Sequence, residues 1–66
     1  QAVKESLEAQ GLRVLYTGWP DFLVIHPHGA VTFIEVKRGH EGLTAAQRAM
    51  KAALEEVGMV FEVRHA

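Results

Sequence analysis

Cysteine is absent from the 66-residue sequence, which excludes a disulfide framework and a thiolate zinc site. No apolar run approaches the roughly 18 residues needed to cross a bilayer, and the N-terminal stretch mixes charges, unlike a signal peptide. We therefore expect a cytoplasmic protein without a membrane partner. The net charge is only −1, so nucleic-acid binding would have to depend on a local basic surface.

The composition is that of a small globular protein, with 48% hydrophobic and 23% charged residues. A chain this short buries too little surface for two cores, which predicts a single domain over residues 1–66. Because disulfides are excluded, a bound metal or a partner subunit is the remaining way to stabilise so small a fold. We therefore expect self-association.

The first half of the chain predicts one helix and three strands. Apolar and small residues at helical spacing over residues 1–10 predict a helix that Gly11 ends. Residues 12–16 alternate and are rich in β-formers, which predicts a first strand. Residues 21–26 are apolar on both faces, which favours a second strand inside the sheet. A short turn joins it to a third strand over Val31–Lys37, so these two strands form an antiparallel hairpin.

The second half predicts a helix and a last strand. Thr44 opens an amphipathic helix, and Gln47 completes a capping box with it. Gly58 closes this helix, and residues 59–64 alternate as a strand. A helical crossover between the third and last strands makes them parallel. The sequence therefore predicts an α/β fold with a mixed sheet.

Three charged side chains should meet on the hairpin. A turn centred near His28 places Asp21 opposite Glu35, and Lys37 projects from the same face as Glu35. Two opposed carboxylates repel each other unless a cation or the lysine offsets their charge. This cost to a small fold favours a functional role, although a salt-bridged hairpin would also explain the pattern.

Carboxylate oxygens from Asp21 and Glu35 suit Mg²⁺ or Mn²⁺, and the backbone carbonyl of Val36 is a further candidate ligand. Such a cation can position a water for attack on a phosphodiester. Lys37 would orient that water and stabilise the developing charge.

These residues resemble a known family. Pro20-Asp21, followed after a hairpin by Glu35-Val36-Lys37, looks like the PD-(D/E)xK nuclease superfamily. Gly18-Trp19-Pro20-Asp21 together with Gln47 resembles the VRR-NUC group within it, whose members are similar in layout to Holliday junction resolvases. The resemblance covers nearly the whole chain. It implies a restriction-endonuclease-like αβββαβ core, in which helices flank a mixed sheet.

The resemblance also implies a Mg²⁺- or Mn²⁺-dependent endonuclease that acts on branched or structured DNA as a homodimer. Asp21 and Glu35 would be metal ligands, Lys37 the catalytic lysine and Gln47 a residue near the metal or substrate. The capping box alone would also account for Gln47.

One feature departs from the family. Its further metal-binding glutamate on the first helix would fall at or before Gln1, and the apolar stripe of that helix points Glu5 and Glu8 away from the sheet. A catalytically impaired nuclease-like module that binds DNA or protein is therefore an alternative. A purely structural dimerisation domain is a third.

A basic rim could adjoin the proposed metal. Its members are Arg38, His40, Arg48 and Lys51. Such residues would contact DNA phosphates without reading sequence, and a plain solvated surface is the alternative. Trp19 would stack on a base or, more in keeping with a small fold, pack at a dimer contact. The histidines have neither the cysteines nor the spacing of a zinc site.

Overall fold

The computed structural model describes residues 2–66, which form two helices and a three-stranded sheet. The elements in chain order are α1 (Ala2–Ala9), β1 (Phe22–Ile25), β2 (Val31–Lys37), α2 (Ala45–Glu56) and β3 (Val60–His65). Neither helix of this described part is long and apolar enough to cross a membrane. The predicted α/β class is confirmed.

Both helices end at the predicted glycines. Gly11 has a φ of +82°, and its N–H donates to Glu8 O at 2.9 Å while the Leu12 N–H donates to Leu7 O at 3.3 Å. This pair of hydrogen bonds is a Schellman motif, which needs a residue in the left-handed conformation. Gly58, with a φ of +87°, follows α2 with the same pattern of bonds. The glycine positions therefore determine both helix ends locally.

The start of α2 is also set by local sequence. The Gln47 N–H donates to Thr44 Oγ1 at 3.1 Å, and the Thr44 N–H donates to Gln47 Oε1 at 2.9 Å. The predicted capping box is thus confirmed. It satisfies two N–H groups that the first turn of a helix otherwise leaves unpaired.

The sheet is mixed, with β2 at its centre. β1 pairs with β2 antiparallel, and β3 pairs with β2 parallel. Phe22 pairs with Ile34 and Ile25 pairs with Val31, which is the register predicted from a turn centred near His28. The hairpin prediction is therefore confirmed.

The strand predicted over residues 12–16 is wrong. This segment has no strand pairing and runs beside α1, where Lys4 Nζ lies 5.6 Å from the centroid of the Tyr16 ring. Alternation is only a local preference, and a strand also needs a neighbour with which to pair. The element order is αββαβ, one strand short of the expected αβββαβ order. β1 consequently lies at the edge of the sheet and not in its interior as predicted.

Exposure differs between the contact with α2 and the outer parts of the sheet. Where α2 packs on the sheet, Met50 is 2% exposed and Phe61 of β3 is 6% exposed. Phe22 and Leu23 of the edge strand β1 project from opposite faces and are 56% and 57% exposed, so β1 is open on both faces. Val60, at the start of β3, is also 57% exposed. The core is small and lies between α2 and one side of the sheet.

Candidate active site

A glycine brings the turn before β1 against the first turn of α2. Gly18 has a φ of +82°, and a Cβ at this position would lie 2.3 Å from Ala46 O and 2.9 Å from Gln47 N. No other residue fits, because a side chain would collide with helix backbone in a conformation that L-residues rarely adopt. Trp19 follows and lies 6.4 Å from Phe33, measured between ring centroids. The close approach delivers the next residues to the N-terminus of α2.

Asp21 is tied to β2 by one hydrogen bond. Its Oδ2 accepts from the Val36 N–H at 2.9 Å, just before the first residue of β1. The backbone groups of β2 alternate in direction, since Lys37 O accepts from the Ala66 N–H on the β3 side. The N–H and C=O of one strand residue point to the same neighbour, so the Val36 carbonyl lies on the Asp21 side. The predicted ligands Asp21 and Val36 are therefore neighbours.

Glu35 and Lys37 are the buried charged residues of the described chain, at 4% and 8% exposure. The Lys37 Nζ lies 3.6 Å from Glu35 Oε2, and the Gln47 Nε2 donates to the same oxygen at 2.9 Å. The other carboxylate oxygen, Glu35 Oε1, is buried and has no hydrogen-bond partner among residues 2–66. One oxygen of this carboxylate is thus doubly engaged and the other is unsatisfied.

This arrangement is costly for the free protein. A buried carboxylate loses its hydration, and attraction to a nearby ammonium offsets that loss only when the remaining oxygens are also satisfied. A buried acceptor without a partner costs about 1–3 kcal/mol. Glu35 Oε1 is therefore a site where a cation would find a buried, unshared oxygen ligand.

Gln47 caps α2 and also contacts Glu35, one of the predicted metal ligands. Its side-chain oxygen caps α2, and its side-chain nitrogen donates to Glu35. Because the cap fixes the amide, the direction of the N–H groups toward Glu35 is fixed as well. The start of the helix and the orientation of the buried acid are consequently linked through one side chain.

Two acids stand at opposed positions of the hairpin, because the register of β1 and β2, continued by one residue, places Asp21 opposite Glu35. Residues 2–66 contain no group of three or more acidic, histidine or cysteine side chains able to hold a metal ion. On α1, Glu8 pairs with Lys4 at 3.0 Å. The position expected for the family's helix glutamate, at or before Gln1, lies outside the described residues.

The predicted basic rim is partly engaged within the protein. Arg48 Nη1 donates to Leu43 O at 2.7 Å, and Lys51 Nζ pairs with Glu55 at 2.9 Å. Arg38 and His40 are exposed in the loop after β2. They adjoin the end of the strand that carries Lys37.

His65 is a residue that the sequence did not place at the site. It neighbours Lys37 in the parallel register between β2 and β3. This register joins strands that a helical crossover separates, so no local sequence pattern reports it. The hairpin register, in contrast, follows from a short turn.

Comparisons of the chain with protein families, curated proteins and solved structures found no match. A functional assignment therefore depends on the site itself and on the motif resemblance. The structure defines a small α/β protein with a mixed sheet. Two acids and a lysine lie at the end of its hairpin, and a glutamine of the adjacent helix donates to one of the acids, Glu35.

Proposed function

We propose that this chain is the core of a metal-dependent endonuclease that hydrolyses DNA phosphodiester bonds. The observation that carries the proposal is the buried Glu35 carboxylate, with one oxygen held by Lys37 and Gln47 and the other unpartnered. Neither a salt bridge nor a helix cap accounts for the burial of that second oxygen without a hydrogen-bond partner. A divalent cation would use such an oxygen as a ligand.

The donor set fits a hard cation. Asp21 and Glu35 supply carboxylate oxygens, and the Val36 carbonyl lies on the same side of β2 as Asp21. Oxygen-only ligands favour Mg²⁺ or Mn²⁺, which retain several waters when protein ligands are few. When bound, the cation would neutralise phosphate charge and increase the acidity of water near it.

The protein's own residues would position the reactants. Gln47 fixes the Glu35 carboxylate, and the Val36 N–H fixes Asp21. Lys37 would present its ammonium N–H groups to the scissile phosphate and to the attacking water, where they stabilise negative charge that builds up in the transition state. Its stem is almost fully buried, so the ammonium is held in place before substrate arrives.

The substrate class follows from the resemblance to the VRR-NUC group, which implies branched or structured DNA. With a net charge of −1, the chain as a whole does not attract DNA. Arg38 and His40 beside the site would contact phosphates flanking the scissile bond, and they would position the DNA without reading its sequence.

An impaired nuclease-like module that binds DNA or protein is the second candidate. It is favoured by the pair of acids at the site where the family pattern has three, within residues 2–66. Fewer carboxylates weaken the attraction for a divalent cation. Under this alternative, Glu35 and Lys37 would keep the geometry of a nuclease site without its activity.

The test compares cleavage of a four-way junction and a linear duplex in Mg²⁺, Mn²⁺ or EDTA. Lys37→Ala should reduce cleavage by about 100-fold or more, in line with loss of a group that stabilises transition-state charge. Lys4→Ala, a lysine on α1 away from the site, is the matched control and should cleave like the parent chain. Circular dichroism of each variant verifies that it folds.

Two further outcomes separate the alternatives. Junction retention in a gel-shift assay without cleavage in any metal supports the binding module. Calorimetric titration of the free protein with Mn²⁺ provides a readout that does not depend on activity. Binding that Glu35→Gln abolishes supports the cation site, whereas Mn²⁺ heats that are equal for the two proteins would contradict it.

A further inference from the structure

β3 presents an open edge. The strand order places β2 on one side of it, and in the described part of the chain no strand lies on its other side. Proteins commonly block such edges with charged side chains, proline or a bulge, because unpaired backbone groups accept a strand from another chain. Val60–His65 contains no proline or lysine, and its one acid and one arginine are opposite in charge, so they exclude only those partners that oppose like charges. The backbone of β3 is therefore available for a further strand.

The charges on β3 are arranged in a particular way. Glu62 and Arg64 are two residues apart, so they project from the same face of the sheet, opposite the buried Phe61. Within the chain they contact each other, with Arg64 Nε 3.0 Å from Glu62 Oε1. Both side chains are substantially exposed. One strand thus carries one acid and one base on its accessible face.

This pattern is complementary to a second copy of itself. In an antiparallel pair related by a two-fold axis perpendicular to the sheet, directly opposed residues share a face. A two-fold axis at Val63 places Glu62 of each copy opposite Arg64 of the other, so two such contacts form. An axis at Glu62 or at Arg64 would place like charges opposite each other, which is destabilising. An axis at Phe61 would leave both charges without a partner across the interface.

We propose that a second copy of this chain docks antiparallel along β3 with Val63 on the two-fold axis, which would extend the three-stranded sheet to six strands. The chain alone has little core, since Met50 and Phe61 are the buried apolar residues of the part described. Small folds without disulfides gain stability from association. A homodimer is also what the family resemblance implies; the surface and the register proposed here are argued from β3 alone and do not depend on catalysis.

The test uses charge reversal and sedimentation equilibrium. Glu62→Arg alone would oppose Arg with Arg, and Arg64→Glu alone would oppose Glu with Glu, at two symmetric contacts each. Either variant should weaken dimerisation by about tenfold or more at low salt. Mixed one to one, the two variants should form a heterodimer as tight as the parent dimer, because each contact again joins opposite charges.

Two controls separate the interface from the fold. The double variant Glu62→Arg/Arg64→Glu should recover the parent dissociation constant, since the opposed pairs are restored with their order exchanged. Glu55→Lys reverses an exposed charge on α2, away from the edge, and should leave dimerisation unchanged. Circular dichroism of each single variant shows whether the monomer is still folded.

Three results would overturn the proposal. The parent chain could remain a monomer of 7.3 kDa up to millimolar concentration. The dimer could form with a dissociation constant that neither single reversal changes, which would place the contact on another surface. The mixture of the two single variants could stay as weak as each variant alone, which would exclude the register centred on Val63.

Discussion

The central strand and the outer strands of the sheet contrast in what they bury. β2 holds Glu35 and Lys37 at 4% and 8% exposure, while the outer strands leave Phe22, Leu23 and Val60 more than half exposed. A fold optimised for stability alone would do the reverse, because burial favours apolar groups and penalises charges. The protected centre of this sheet thus holds charged groups.

The difference follows from position in the sheet. Glu35 and Lys37 lie on the central strand with a neighbouring strand on each side, and Gln47 of α2 contacts Glu35. Phe22 and Val60 lie on outer strands and are more than half exposed. The charged groups of the candidate site are therefore placed where the fold excludes solvent, and the exposed apolar side chains of the outer strands remain for other contacts.

The largest expected effect compares packing under α2 with packing on the edge strand β1. Phe61→Ala should lower the free energy of unfolding by about 3–4 kcal/mol, because it leaves a cavity under α2. Phe22→Ala removes the same side chain from a site that is 56% exposed, and should cost about 1 kcal/mol or less. Urea unfolding, monitored by circular dichroism, measures both. Equal costs would mean that Phe22 is covered in solution.

The next largest effect is expected at the buried pair of Glu35 and Lys37. Lys37→Ala in metal-free buffer should cost about 3 kcal/mol, since it leaves the Glu35 carboxylate buried without its counter-charge. Lys51→Ala breaks an exposed pair with Glu55 on α2 and should cost at most about 0.5 kcal/mol. Denaturant midpoints of the two variants give the comparison. If the apolar replacement Glu35→Leu/Lys37→Met does not recover most of the loss, the cost is not due to an isolated charge.

The turn that delivers Asp21 should be more sensitive than an open turn. Gly18→Ala combines a positive φ with a collision against Ala46 O, and should cost about 2–3 kcal/mol. Gly11→Ala has the same φ of +82° but no atom within 4 Å of the added Cβ, and should cost about 1 kcal/mol. The difference in thermal midpoint between the variants reports the close approach to α2. A difference of zero would place the turn away from the helix.

The smallest expected effect distinguishes the two roles of Gln47, which are to cap α2 and to contact Glu35. Thr44→Ala removes the cap alone and should cost about 1 kcal/mol. Gln47→Glu keeps an N3 residue that completes capping boxes but places a second carboxylate beside Glu35, so its cost measures the contact with the buried acid. Unfolding in EDTA and in Mn²⁺ should differ for this variant, because the added carboxylate creates a stronger cation site. The same stability in both buffers would argue against a cation at Glu35.

Much of the local structure could be predicted from the sequence. Gly11, Gly58 and the Thr44–Gln47 capping box specify helix ends by hydrogen bonds that span only a few residues. The hairpin register followed from turn length and placed Asp21 opposite Glu35. Residues 12–16 have the same quality of local pattern and yet form no strand, because pairing needs a neighbour that a local pattern does not supply.

In the candidate site, too, contacts between residues close in the chain could be predicted and contacts between distant segments could not. The contact of Lys37 with Glu35 and the position of Asp21 beside β2 were predictable, since all three residues lie on one hairpin. The contact from Gln47 to Glu35 was not, because it joins α2 to β2 through the packing of the crossover. Neither was the unpartnered Glu35 oxygen, since burial depends on every group that packs around it.

The sequence by itself determined where each helix ends, how the hairpin pairs and which side of β2 carries the acid and the lysine, because these depend on interactions between residues close together in the chain. Only the tertiary structure decided that β1 lies at the edge, that Glu35 is buried with one oxygen unsatisfied, and that Phe22 and Val60 on the outer strands stay exposed. Those properties arise from the packing of distant segments, and the free energy of a buried group is set by all of its neighbours together.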